Sequence, residues 1–262
     1  MFLTIRNLRR PLTMNDDPRG GQFDQRRPFA TTHWSMVIAA AKGSDSGEAK
    51  RALAQLCETY WYPLYAFVRR KGYNPNEAQD LTQEFFANVL INATFQKADQ
   101  TRGRFRSFLL TSMQNFLANQ HRAKIALKRG GGVQHLPLDF HKGEDRYQQE
   151  PIESMTPEKM YERRWAMTLM KRVLDRLADE QTQAGKGEVF DTLKHYLGGT
   201  DDQRPYREIA QQLNMPEGTI KVNVHRLRKR CRELLRDEIS QTVETEAAVD
   251  DELRDLFQIV AS

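Results

Sequence analysis

Cysteine is nearly absent: Cys57 and Cys231 are the two in 262 residues. Both sit on apolar helical faces, which favours packing over a disulfide or a metal site. Two buried free thiols in a reducing compartment are expected. Long apolar runs are missing as well, and none approaches the roughly 20 residues that span a bilayer. The N-terminal stretch MFLTIRNLRRPLTMNDDPRGG is broken by arginines and has no apolar h-region. It does not read as a secretory signal, and Met14 is an alternative start. Strand-period alternation, a glycine-rich phosphate loop and internal repeats are all lacking. The histidines are dispersed, and His135 and His141, near Asp139, Glu144 and Asp145, match no metal-ligand spacing. No nucleophile is placed with a partnered base. These gaps lead to the expectation of a cytoplasmic protein that is no enzyme, with no metal, cofactor, membrane or small-molecule substrate.

What the chain does have is segregated charge. A net charge of +5 and a pI near 9.2 are mild, yet 102–130 and 221–236 are strongly cationic and 237–262 is acidic. That division points to a polyanion at the first two segments and a different role for the third.

Periodicity supplies only helices. A Thr31/Thr32 cap starts one that runs to Gly43. Leu53, Leu56, Tyr60, Leu64 and Phe67 mark another from Glu48 to Lys71, ended by Gly72, with Pro63 expected to bend or divide it. Asn76 is the expected cap of the next, with Ala78, Leu81, Phe85, Phe86, Val89 and Leu90 inward. A connector over 93–103 precedes a helix closed by Gly130-Gly131-Gly132. Residues 133–156 show no periodicity. A helix from Pro157 carries Met167, Met170, Leu174 and Leu177, and a polar loop leads to another helix around Val189–Leu197. The implied organisation is all-α: a disordered arm (1–27), a helical domain (28–130), a flexible linker (131–156), a second helical domain (157–236) and an acidic extension (237–262).

The most informative stretch is YREIAQQLNMPEGTIKVNVHRLRKRCRELLR, from Tyr206 to Arg236. A short helix runs into the turn Asn214-Met215-Pro216-Glu217, and a longer helix opens at Gly218-Thr219. Ile220, Val224, Leu227, Cys231 and Leu234 make one apolar stripe on it. The opposite faces carry Lys221, Asn223, His225, Arg226, Arg228, Lys229 and Arg232. A helix that buries one face and presents a cationic one after a tight turn is the sequence form of a helix-turn-helix, whose second helix enters the DNA major groove.

Three stretches taken together resemble the extracytoplasmic-function (ECF) class of bacterial RNA polymerase sigma factors. They are NEAQDLTQEFF (76–86), GRFRSFLLTSMQNFLANQHR (103–122) and YREIAQQLNMPEGTIKVNVHRLRKR (206–230). The first resembles the region 2 stretch that docks on the clamp helices of the polymerase β′ subunit, which implies contacts by Asp80, Gln83, Glu84 and Phe86. The bland reading of that stretch is a solvated polar face. The second resembles the helix that melts the promoter and reads the opened strand, implying Arg104, Phe105, Arg106, Asn115, Asn119 and Arg122. Arginine suits phosphate, exposed aromatics suit stacking, and amides suit a base edge; Phe108 and Phe116 read as core. The third resembles region 4, which reads the upstream (−35) element, with Thr219, Lys221, Val222, His225 and Arg226 toward base edges and Arg228, Lys229 and Arg232 toward phosphates.

The resemblance further implies core RNA polymerase (β′ clamp helices and β flap), promoter DNA and an anti-sigma or other regulator as partners. Two positions depart from the family pattern: Phe108 stands where tryptophan is usual, and Asn223 where a cation is common. The acidic extension either covers the recognition helix, braces region 4 through Leu253, Leu256 and Phe257, or docks a regulator. A helix-turn-helix regulator acting without polymerase, or an enzyme such as a recombinase, is the alternative reading.

Overall fold

In a computed structural model the residues described are 47–91, 104–126, 141–148, 155–197, 204–243 and 245–261. The expected N-terminal arm, the helix at 31–43, the connector at 93–103, the Gly130–Gly132 stop and the turn at 198–200 lie outside them. All regular structure among the described residues is helical, with no strand. The chain divides into two compact units, and the division falls inside one helix, between Thr168 and Leu169.

In the N-terminal unit, α1 spans Gly47–Arg70 and buries Leu56, Tyr60, Leu64 and Phe67. Pro63 removes one backbone donor, but the helix continues through it as a single element instead of dividing. Gly72, at φ +98°, ends it as expected, its N–H donating to the Arg69 carbonyl at 3.0 Å. The cap of α2 (Pro75–Ile91) is Asn74, two residues before the expected one. Its Oδ1 accepts from the Glu77 N–H at 2.9 Å, and Glu77 Oε2 accepts from the Asn74 N–H at 3.4 Å. That reciprocal pair is a capping box, and Pro75 occupies the first helical position, where its missing donor costs nothing. α3 (Phe105–Ala126) buries Phe105, Leu109, Met113 and Leu117.

The expected flexible linker contains a docked helix, α4 (His141–Gln148). Gly143 lies so close to Trp61 that a Cβ on it would stand 2.8 Å from the indole ring. Glu144 accepts from Arg69 Nε at 3.0 Å, from Arg69 Nη2 at 3.1 Å and from the Tyr65 hydroxyl. Arg146 lies 4.0 Å from the centre of the Tyr62 ring, and Arg69 lies 4.9 Å from that of Tyr147. Such a short helix is marginal alone, and it is held by a glycine, a carboxylate and cation–aromatic contacts. None of these leaves an apolar stripe in the sequence.

α5 (Pro157–Gln183) starts on a Thr156 cap, whose Oγ1 accepts from the Lys159 N–H at 3.3 Å. Its first half belongs to the N-terminal unit, where Met160, Tyr161 and Trp165 are buried. Its second half opens the C-terminal unit on a stripe of Leu169, Met170, Val173 and Leu177, with Met167 and Leu174 only half-buried. After Gly185, at φ +69°, come α6 (Gly187–Leu193) and a 3-10 turn (Lys194–Leu197). They are followed by α7 (Tyr206–Gln212), α8 (Glu217–Ser240) and α9 (Glu246–Ala261). The expected extension is therefore part of this unit, since Val249, Leu253, Leu256 and Phe257 of α9 are buried and the helix packs on α8.

Candidate nucleic-acid interface

The turn between α7 and α8 is built by backbone hydrogen bonds. The Met215 N–H donates to the Ala210 carbonyl at 2.9 Å and the Asn214 N–H to the Gln211 carbonyl at 3.3 Å, which is a Schellman ending. Asn214 supplies the left-handed residue at φ +50°, a conformation asparagine accepts more readily than most side chains. The Pro216 carbonyl then accepts from the Thr219 and Ile220 N–H groups at 2.9 and 3.2 Å and starts α8. Ile220, Val224, Leu227, Cys231 and Leu234 are buried as expected, with Leu235 and Ile239 continuing the stripe. Burial pushes the Cys231 thiol up to about 11 and the Cys57 thiol up to about 12, so both behave as packing residues.

Outward, Thr219, Lys221, Val222, His225, Arg226 and Lys229 are exposed. Val222, 47% exposed, is the exposed large hydrophobic residue among the described ones. Glu217 braces Lys221 at 2.7 Å, one turn earlier on α8. Asn223 is half-buried at a cavity of about 240 Å³ that Val189, Phe190, Met215 and Leu227 also line, and so it turns partly inward.

Arg228 requires a correction. It is half-buried, and its Nε and Nη2 donate to the Tyr196 carbonyl at 3.2 and 2.8 Å. It ties the 3-10 turn to α8 and is not extended toward a phosphate. Arg230, which periodicity does not single out, grips Glu180 with Nε and Nη2, both at 2.8 Å. Contacts between residues so distant in sequence leave no local signal. Arg207, exposed on α7, is a further cation on this helix-turn-helix.

In the N-terminal unit the expected strand-binding residues separate into two groups. Asn115, Asn119 and Arg122 are exposed, with Arg122 Nη1 donating to Asn119 Oδ1 at 3.5 Å. Phe105 and Arg106, by contrast, are core residues. Phe105 is 2% exposed and meets Tyr60 edge-on at 5.2 Å. Arg106 is 4% exposed, its guanidinium 4.6 Å from the centre of the Trp165 ring and 3.4 Å from Glu162. The first half of α5 covers Arg106, and the Tyr161 hydroxyl donates to the Arg106 carbonyl at 2.9 Å. Arg104 is half-buried, as are Phe108 and Phe116.

The expected polymerase face divides in the same way. Asp80 is exposed, and half-buried Glu84 accepts a hydrogen bond from Gln120 of α3. Gln83 and Phe86, each 3% exposed, belong to the core. Because α2 packs on both α1 and α3, its buried arc is wider than one stripe and takes in these two positions. Among the described residues no group of histidine, cysteine and carboxylates could hold a metal, and no helix is long and apolar enough to cross a membrane.

No curated protein and no solved structure matches the chain. Residues 201–231 match the family model described as Sigma-70, region 4. The matched segment contains α7, the Asn214 turn and most of the exposed face of α8. The C-terminal helix-turn-helix is thus similar to region 4 of the sigma-70 family.

Proposed function

We propose that this chain is a dissociable ECF-class subunit of bacterial RNA polymerase that directs the core enzyme to particular promoters. α8 reads the upstream (−35) element, with Thr219, Val222, His225 and Arg226 toward base edges and Lys221 and Lys229 beside them. Asn115, Asn119 and Arg122 on α3 capture the opened strand nearer the start site, where amides and a guanidinium meet unstacked bases and phosphate. Asp80 and Glu84 of α2 meet the clamp helices of β′, and region 4 meets the β flap. Two modest readers on one chain raise each other's effective concentration on a promoter that carries both elements. The polymerase supplies the chemistry, and this chain supplies the address.

The observation that carries the reading is the exposed, cationic outer face of α8 behind a hydrogen-bonded helix-turn-helix turn. The test is in vitro transcription with core RNA polymerase on a library of genomic fragments. Initiation from a set of fragments sharing two separated elements is the expected result. Duplex binding without any directed initiation would instead make the protein a regulator that acts without polymerase.

A further inference from the structure

Val222, Arg226, Lys229, Glu233 and Arg236 step along α8 by four, three, four and three residues, which places them on one helix face. Its first part holds the residues assigned to bases and adjoining phosphates. Beyond Lys229 the face changes character. Glu233 comes next and pairs with Arg230 at 3.2 Å. Arg236 follows, about 10 Å past Lys229 along the helix, and it is held between two carboxylates of α9: Glu246 accepts from its Nη2 and Asp250 from its Nη1.

This clasp is fixed in place. Thr245 Oγ1 caps α9 by accepting from the Ala248 N–H at 3.1 Å, and buried Val249, Leu253, Leu256 and Phe257 pin the helix to the unit. Glu246 and Asp250 stand one turn apart and so reach the same guanidinium.

We propose that α9 is a specificity element of the DNA reader: Glu246 and Asp250 hold Arg236 away from duplex phosphate, so that affinity is concentrated in the first turns of α8. This rests on the reading of α8 as a DNA-binding helix. A phosphate contact strengthens binding to every sequence alike and adds no discrimination. Withholding one cation at the far end of the face lowers binding to random DNA proportionately more than it weakens the choice among promoters.

The test measures binding of the full chain, alone and with core polymerase, to a selected promoter duplex and to a random duplex. Salt is varied between roughly 50 and 200 mM, and circular dichroism confirms unchanged helicity. Glu246→Gln with Asp250→Asn should steepen the salt dependence by about one unit and tighten random-duplex binding several-fold at the low-salt end. The ratio of promoter to random binding should fall. Arg236→Gln alone should leave the slope as in the wild type, while the triple variant should return to wild-type behaviour. An unchanged slope in the double variant overturns the proposal. A lower slope in Arg236→Gln alone also overturns it, because Arg236 would already be on phosphate. A gain that persists in the triple variant does so too, assigning the effect to general charge. Failure of the wild-type chain to bind either duplex, with or without core polymerase, is a different result and rejects the reading of α8 itself.

Discussion

Arg226 and Lys229 are both exposed on α8, one turn apart, and predict opposite signatures in binding. Arg226 lies nearer the helix start, where a guanidinium can bond two acceptors of one guanine edge. Arg226→Ala should cost about 1–3 kcal/mol on the preferred promoter and relax the preference at one base pair. Lys229→Ala should weaken all duplexes equally and reduce the salt slope by about one. Competition assays against a duplex library read both effects, and a uniform loss for Arg226→Ala would reassign it to phosphate. A second contrast concerns α3. Arg106 lies against Trp165 and beside Glu162, so Arg106→Ala should destabilise the N-terminal unit by about 2 kcal/mol or more. Exposed Asn119, changed to Ala, should leave the melting temperature in place and reduce capture of an opened promoter strand. If Arg106→Ala melts like the wild type, the assignment of that side chain to the core is wrong.

The element that most departs from the sequence pattern is α4, and its contacts predict a pH dependence. Partial burial works against ionisation of Glu144, but hydrogen bonds from Arg69, Tyr65 and Gln148 outweigh it and hold the carboxyl below the ordinary glutamate range. A carboxyl lowered in the folded state contributes stability that is full above its unfolded value, about 4.3. That stability is lost as pH falls through the folded value. Undocking of α4, followed by protease cleavage within 141–148, should therefore appear on acidification below about pH 4. Glu144→Gln should release α4 at neutral pH and remove that acid transition. Gly143→Val should release it at every pH, because the added Cβ meets the Trp61 ring, and overpacking of this kind costs about 1–3 kcal/mol.

These contacts also show where the sequence was legible. The stripe from Ile220 to Leu234 could be read because one helix buries one continuous face. An asparagine cap was legible but placed at Asn76, two residues late, since Pro75 at the first helical position moves the cap to Asn74, and its reciprocal bond with Glu77 was not read. Gly143, Glu144 and Arg228 act through partners distant in the chain, and no local period records that.

At the scale of the whole molecule, the two units share α5, which alters where the chain can be cut. Periodicity places a domain start at Pro157, yet Met160, Tyr161 and Trp165 are buried in the N-terminal unit, and Tyr161 bonds to the α3 backbone there. Each large apolar side chain so buried is worth about 1.5–3 kcal/mol relative to exposure. A fragment ending at residue 156 forfeits all three and uncovers Arg106, whereas one ending at residue 168 retains them. The shorter fragment should melt at a clearly lower temperature and bind an apolar-surface dye. The same reasoning applies at the other end of the chain. Deleting 245–262 removes four buried apolar side chains of α9, and its first effect should be loss of cooperative melting in the C-terminal unit. A truncated chain that melts unchanged but binds promoter more tightly would favour a tail that merely screens the recognition helix. The exposure of Thr219, Val222, Arg226 and Lys229 with α9 in place argues against that screening role, because the side chains assigned to DNA stay open to solvent.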